Sequence, residues 1–201
     1  MGCGFSLSSG VFICGHVGHI GQATGKSFAM QDHAPPIPSR EDFIAAMRKV
    51  AASVTVVTTD GPFGRWGTTV SAFTSVSADP PTALVCLHAD SRIAQKVSAN
   101  GRFCVNVLPQ GRRDIANRFA GTDDAAVADR FEGVDVYGPS GDPPAINGAT
   151  MFQCRVTQSV LSGSHLVFFG AVEAVDPGNG QPLAYLDGSY QRVERHGGED
   201  A

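Results

Sequence analysis

Residues 65–106, RWGTTVSAFTSVSADPPTALVCLHADSRIAQKVSANGRFCVN, decide how the rest of the chain is read. The stretch opens on Gly67-Thr68-Thr69, passes through small and hydroxyl residues to Ser75-Val76-Ser77, and turns at Asp79-Pro80-Pro81. Hydroxyl and β-branched residues at this density predict a strand from about Trp66 to Val76. Thr82 to Leu87 reads as the next strand, and its apolar composition predicts burial on both faces. Asp90-Ser91 then caps a helix over Arg92 to Ala99, with Ile93 and Val97 on one face and Asn100-Gly101 at its end. Arg102 to Leu108 is a further strand, stopped by Pro109. Short hydroxyl donors on extended backbone let a flat polar ring lie close to the main chain, and a serine at a helix N-terminus suits a phosphate. The stretch therefore reads as a surface for a phosphorylated, ring-bearing cofactor, with flavin foremost.

Working outward, Ser39 reads as an N-cap with Glu41 and Asp42 in the first turn. Phe43, Ile44, Met47 and Val50 follow at helical spacing, which predicts a short amphipathic helix. Val54 to Thr59 is a β-branched strand ended by Asp60-Gly61-Pro62. On the other side, Arg112 to Phe119 predicts a short helix, and Thr122-Asp123-Asp124 a cap for another running through Ala128. Residues 135–144 read as loop. Thr150 to Leu161 and His165 to Val175 predict an antiparallel hairpin about Ser162-Gly163-Ser164. Leu183 to Leu186 and Ser189 to Val193 are short terminal strands around Asp187-Gly188. Strands dominate without a βαβ rhythm, so the expected fold is mainly β, an antiparallel barrel with short peripheral helices. No GxGxxG follows a strand, which leaves a Rossmann site unsupported.

At 201 residues the chain suits one folded domain. Residues 1–39 are rich in Gly, Ser and His and read as a flexible extension; residues 40–193 form the domain, and residues 194–201 a polar tail. The net charge of -4 gives no footprint for nucleic acid. No apolar run reaches the roughly 18 residues needed to span a membrane. Five cysteines, an odd number, with no secretory signal, point to a reducing, cytoplasmic setting. Cys14, His16 and His19 raise the alternative of a zinc-binding tail, although their spacing matches no closed zinc site.

In order along the chain, Val-Thr-Val-Val-Thr-Thr, Gly-Thr-Thr-Val-Ser-Ala-Phe, Ser-Val-Ser with Pro-Pro, Phe-Cys-Val-Asn-Val-Leu, Arg-Phe-Ala-Gly and Gly-Ser-His resemble the flavin reductase family with the FMN-binding split barrel. The resemblance covers about residues 40–193 and is nearest the reductase components of two-component monooxygenases. It implies a homodimer with flavin, FMN or FAD, at the subunit interface and NADH or NADPH as donor, bound by stacking on the flavin. It also admits a reductase of a Co(II) corrinoid acceptor in cobalamin biosynthesis. A flavin-binding protein without catalysis is the reading from another class. The family often carries Gly-Asp-His where this chain has Gly163-Ser164-His165.

Carried onto this sequence, the resemblance places Gly67, Thr68 and Thr69 against the ring; alone they would be an ordinary Thr-rich strand. Ser75, Val76 and Ser77 would supply main-chain donors to the pyrimidine side, or merely end a strand. Asp90, Ser91 and Arg92 would hold the phosphate, with Asp90 turned away from it and helix capping as the plain alternative. Phe119 and Trp66 read either as core or as packing against the cofactor. His165 is the candidate for contacting the nicotinamide cofactor and the one catalytic candidate; Tyr190 would shield the nicotinamide face. No metal site is expected in the domain.

Overall fold

The computed structural model describes residues 37–194 apart from Asp123 and Ala126. The readings made above on residues 1–36 and 195–201 lie outside the described residues. The Ser39 side chain accepts a hydrogen bond from the Asp42 amide at 3.0 Å and starts α1, Arg40–Met47. The apolar residues that made this helix amphipathic are not buried within the chain. Phe43 is 59% exposed and Met47 49%.

The β-branched run that follows divides into β1, Ala52–Ser53, and β2, Thr55–Thr59. Val54 is the point of division, giving its amide to Leu183 and its carbonyl to the amide of Leu108. The strand expected from Trp66 to Val76 is in fact two, β3, Trp66–Val70, and β4, Phe73–Ala78. The chain turns a corner at Ser71-Ala72, and each piece pairs with a different neighbour. Then come β5, Pro81–His88; α2, Arg92–Asn100; β6, Arg102–Val107; and α3, Arg113–Ala120. A two-residue hairpin of β7, Val136–Tyr137, and β8, Ala145–Ile146, flanks the segment read as loop. The long hairpin is β9, Thr150–Ser162, with β10, His165–Asp176, and the chain closes with β11, Leu183–Leu186, and β12, Ser189–Arg192.

The main sheet is antiparallel, in the order β3-β2-β6-β9-β10-β5-β4. Its two end strands, β3 and β4, are consecutive in sequence, so the sheet curls into a split barrel whose opening lies beside Ser71-Ala72. The Ala72 carbonyl accepts from the Cys86 amide at 3.0 Å across that corner. A second sheet, β1-β11-β12, uses the terminal strands.

β2 is buried along its whole length because its side chains enter two cores. Val56 packs with Leu108, Ile115 and Phe119, whereas Val57 packs with Val85, Ile93, Phe103 and Phe168. Each large apolar side chain so covered contributes about 1.5–3 kcal/mol. The fully buried polar residues of β2 and β6, Thr55, Thr58, Thr59 and Asn106, are all hydrogen-bonded, as burial demands. Thr58 donates to the Pro144 carbonyl at 2.6 Å, and Asn106 donates to the Val56 carbonyl at 3.1 Å while accepting from the Ile146 amide at 2.7 Å. Asn106 thus ties the β7–β8 hairpin to the barrel.

Two more expectations are corrected. β5 is not buried on both faces: Ala83, Val85 and Leu87 point into the core, and the residues between them stand half-exposed. This is the alternation of an antiparallel strand with one face towards solvent. Among the described residues of 122–128 there are turns and no helix. Gly121 at φ 89° ends α3 in the left-handed region.

Candidate active site

Two clefts of about 490 and 350 Å3 adjoin beside the barrel opening and share Thr68, Ser91 and Ile93 as walls. The first is cationic. The Arg92 and Arg130 guanidiniums stand 5.2 and 5.1 Å from the centre of the Trp66 ring, within range of a cation–π attraction. Ser91 caps α2, accepting from the Ala94 amide at 3.3 Å and donating to the His88 carbonyl at 2.6 Å. The N-terminus of α2, with its partial positive charge, therefore faces the same end as Arg92. This end is suited to an anion beside an aromatic plate.

Arg130 is the best-anchored group in it. Its Nη1 donates to the carbonyls of Gly67 at 3.1 Å and Phe119 at 2.9 Å, and its Nε and Nη2 bond the two oxygens of Asp124 at 2.8 and 2.6 Å. Those bonds, with the nearby Arg92 charge, hold the Asp124 carboxyl below the usual carboxylate range. The second cleft ends in two imidazoles. His88 and His165 are register partners on β5 and β10, and their rings meet edge to face with centroids 5.5 Å apart. The Asp90 amide donates to His88 Nδ1 at 3.3 Å, which leaves Nε2 as the protonated nitrogen of the neutral ring. His165 Nδ1 lies 3.0 Å from the Ser164 hydroxyl.

Of the residues singled out from sequence, Trp66, Thr68, Thr69, Ser91, Arg92 and His165 line these clefts. Thr69 also donates its hydroxyl to the Ala116 carbonyl at 2.7 Å, joining β3 to α3. Six candidates stand elsewhere, together with Gly67, whose packing is described next. Phe119 is fully buried in the core, edge to face with Phe131 at 4.9 Å. Gly67 serves that packing: a Cβ there would lie 2.5 Å from a Phe119 ring carbon. Ser75, Val76 and Ser77 lie on the exposed edge strand β4, with Ser75 opposite Ala83. That is five residues along β5 from His88, or about 16 Å at strand rise. The Ser77 hydroxyl is taken up by the turn, bonding the Asp79 amide and carbonyl at 3.1 and 2.9 Å. Tyr190 lies on β12, its hydroxyl 2.8 Å from Asn117 Oδ1 and its titration raised by burial and by Tyr185. Asp90 is exposed and contributes its amide to the loop.

His88, Arg130 and Asp124 were not foreseen as site residues. His88 becomes visible once β5 is known to pair with β10, since only register puts it against His165. Asp124 comes from a segment read as the cap of a helix through Ala128 and Arg130 from just beyond it, and their six-residue separation follows no local pattern.

The fold and this cleft define a split-barrel protein with a cationic, aromatic-lined cleft that runs into a pair of imidazoles. The chain belongs to the flavin reductase like domain family, whose profile matches residues 47–194. It is 35% identical over 175 residues to the FMN reductase (NADH) RutF of Variovorax paradoxus, covering 85% of this chain and 95% of that one. To the protein of the same name from Stutzerimonas stutzeri it is 41% identical over 146 residues, 72% of this chain and 82% of the other. Among solved structures it resembles the NADH:FAD oxidoreductase SgcE6 of Streptomyces globisporus in complex with NAD and FAD fragments. That match has a TM-score of 0.72 at 27% identity, over 82% of this chain and all of the other. The flavin reductase of styrene monooxygenase from Pseudomonas putida S12 matches with a TM-score of 0.67 at 27% identity, over 77% and 99%.

Proposed function

We propose that this protein is an NADH-dependent flavin reductase, taking FMN and supplying reduced flavin to a separate monooxygenase component. The observation that carries the reading is the continuity of the two clefts through Thr68 and Ser91. It joins a cationic end suited to a phosphate with an imidazole end, in a chain of this family. The residues present fit a phosphorylated flavin: two guanidiniums and the start of α2 suit the phosphate, and the β3 edge at Thr68 and Thr69 suits the polar ring. When bound, the flavin supplies the acceptor atom for a hydride from the nicotinamide.

The chain's own part is alignment and exclusion of water. Arg92 holds the phosphate, and Trp66 forms a wall that keeps the two guanidiniums in place. β3, tied to α3 through Thr69, gives a rigid floor. His165, braced by His88, faces the space left for the nicotinamide cofactor and binds its polar groups. The reductase domain of this reading spans residues 40–193.

The working unit in this reading is a homodimer. The uncovered face of α1 opens onto a groove of about 820 Å3 lined by Phe43, Met47, Val50, Phe73 and Tyr185. This groove meets the cleft at Ser71 and Ala72, and a second copy seated there would also bring surface towards the exposed edge at Ser75, Val76 and Ser77. No helix among the described residues is long and apolar enough to cross a membrane.

Anaerobic stopped-flow absorbance with NADH and excess FMN tests the proposal. Bleaching of many equivalents of free flavin is the expected outcome. Bleaching of one bound equivalent alone would point to a retained flavin and another acceptor, and absence of bleaching would leave only a binding protein.

A further inference from the structure

A phosphate site gains from positive charge, yet the cationic end of this cleft contains a carboxylate. Asp124 lines it together with Arg92 and Arg130 and occupies Nε and Nη2 of Arg130 in a two-pronged pair. That pair is not needed to position the guanidinium. The carbonyls of Gly67 and Phe119 already hold Nη1 of Arg130, and its side chain is only 14% exposed.

Resting on the flavin reading above, we infer that Asp124 is a resident competitor for the flavin phosphate at Arg130 and sets how readily flavin leaves. A phosphate makes the same kind of charge-assisted, bidentate bonds to a guanidinium that this carboxylate already makes. Binding there exchanges one anion for another, so the net gain is small. Asp124 is half-exposed, and turning it out to water strands no buried charge. Among the described residues no carboxylate forms an ion pair with Arg92, which lies over the Trp66 ring and supplies the constant part of the attraction. A reductase that hands its product flavin to another protein gains from such a weakened hold; the same cleft without the carboxylate would hold the phosphate several-fold more tightly.

The substitution Asp124→Asn removes the charge at nearly constant shape and leaves both carbonyl anchors of Arg130 in place. Oxidised FMN and riboflavin, which differ by the phosphate, are titrated against the full chain and its variants by quenching of flavin fluorescence. Asp124→Asn is expected to bind FMN roughly 5- to 10-fold more tightly, the size of one like charge removed at close range in a wet cleft. Riboflavin affinity stays unchanged. Arg130→Gln is expected to weaken FMN and spare riboflavin. Asp124→Ser serves as a second neutral variant, should the first fail to fold.

Unchanged or weaker FMN binding in a folded neutral variant would overturn the inference. So would an equal gain for both flavins, which would place the effect away from the phosphate. Failure of the wild-type chain to bind either flavin would remove the flavin reading itself, and this inference with it.

Discussion

Replacing Gly67 with alanine puts the packing of β3 on α3 to a quantitative test. The added Cβ would stand 2.5 and 2.8 Å from two carbons of the Phe119 ring and 3.2 Å from Phe131. Ordinary contact needs about 3.5–4.0 Å, so the overlap is roughly 1 Å. The Phe119 ring has little freedom to retreat, because Phe131 meets it edge to face at an interplanar angle of 80°. The strand must lift instead, which strains the Thr69 bond to Ala116 and the Arg130 bond to the Gly67 carbonyl. Overpacking of this kind costs about 1–3 kcal/mol, and with backbone bonds involved the expected loss is about 2–3 kcal/mol. For a chain of this size that lowers the melting temperature by roughly 4–12 °C. Urea unfolding followed by circular dichroism gives the value, and Phe119→Leu in the same background should restore at least about 1 kcal/mol by vacating the space. A loss below about 0.5 kcal/mol, or strictly additive costs in the double variant, would refute the reasoning. Loss of FMN affinity at unchanged stability would show instead that Gly67 is bare for the sake of the cleft.

Further outcomes are expected from the same structure. Asn106→Ala leaves the Ile146 amide without its acceptor and removes the side-chain donor to the Val56 carbonyl, and should cost about 1–3 kcal/mol in urea unfolding. Arg92→Ala should weaken FMN by about tenfold and riboflavin hardly at all, read by fluorescence titration. His165→Ala should raise KM for NADH several-fold, with flavin affinity unchanged and kcat changed less. Burial pushes the Cys104 and Cys154 thiols up to about 12, so their contribution to stability is complete below their ordinary value of 9.0 and is lost as pH rises from there towards 12. Unfolding midpoints should therefore fall along that alkaline limb, and Cys104→Ala should flatten it. In native labelling with iodoacetamide, mapped by mass spectrometry, both thiols should stay unmodified; Cys86, on the cleft wall, should react and be shielded by FMN.

Local chemistry was legible wherever a few neighbouring residues settle the outcome. The Ser39 and Ser91 caps, the left-handed Gly101 and the β9–β10 hairpin all follow from short patterns. The barrel's opening was not legible, because nothing in Val70-Ser71-Ala72-Phe73 announces a corner; both sides are equally extended, and only their partners differ. The uniform composition of Thr82 to Leu87 hid an alternation set by having solvent on one side. In the cleft, Ser91 and Arg92 were readable because they lie together at a helix start, and Trp66 because it leads into the Gly67-Thr68-Thr69 strand. Arg130 reaches the same place from a remote segment, and His88, although only three residues before Ser91, gains its place through the cross-strand register with His165, which no local pattern signals. Tyr190 was an aromatic at the expected position in the order, yet its ring belongs to the packing of β12 over α3.

The carbonyls at the end of α3 are bonded by side chains from outside it, Ala116 by Thr69 and Phe119 by Arg130. The cleft floor and the helix end therefore form one cooperative unit for local opening. Peeling β3 away breaks the helix terminus, and fraying the helix releases β3. Amide hydrogens on both should exchange at one shared, slow rate close to that of global unfolding, whereas the exposed tip of the β9–β10 hairpin should exchange earlier on its own. For a protein whose ligand comes and goes, the rigid side of the doorway is then built into the fold itself, and passage is left to single side chains.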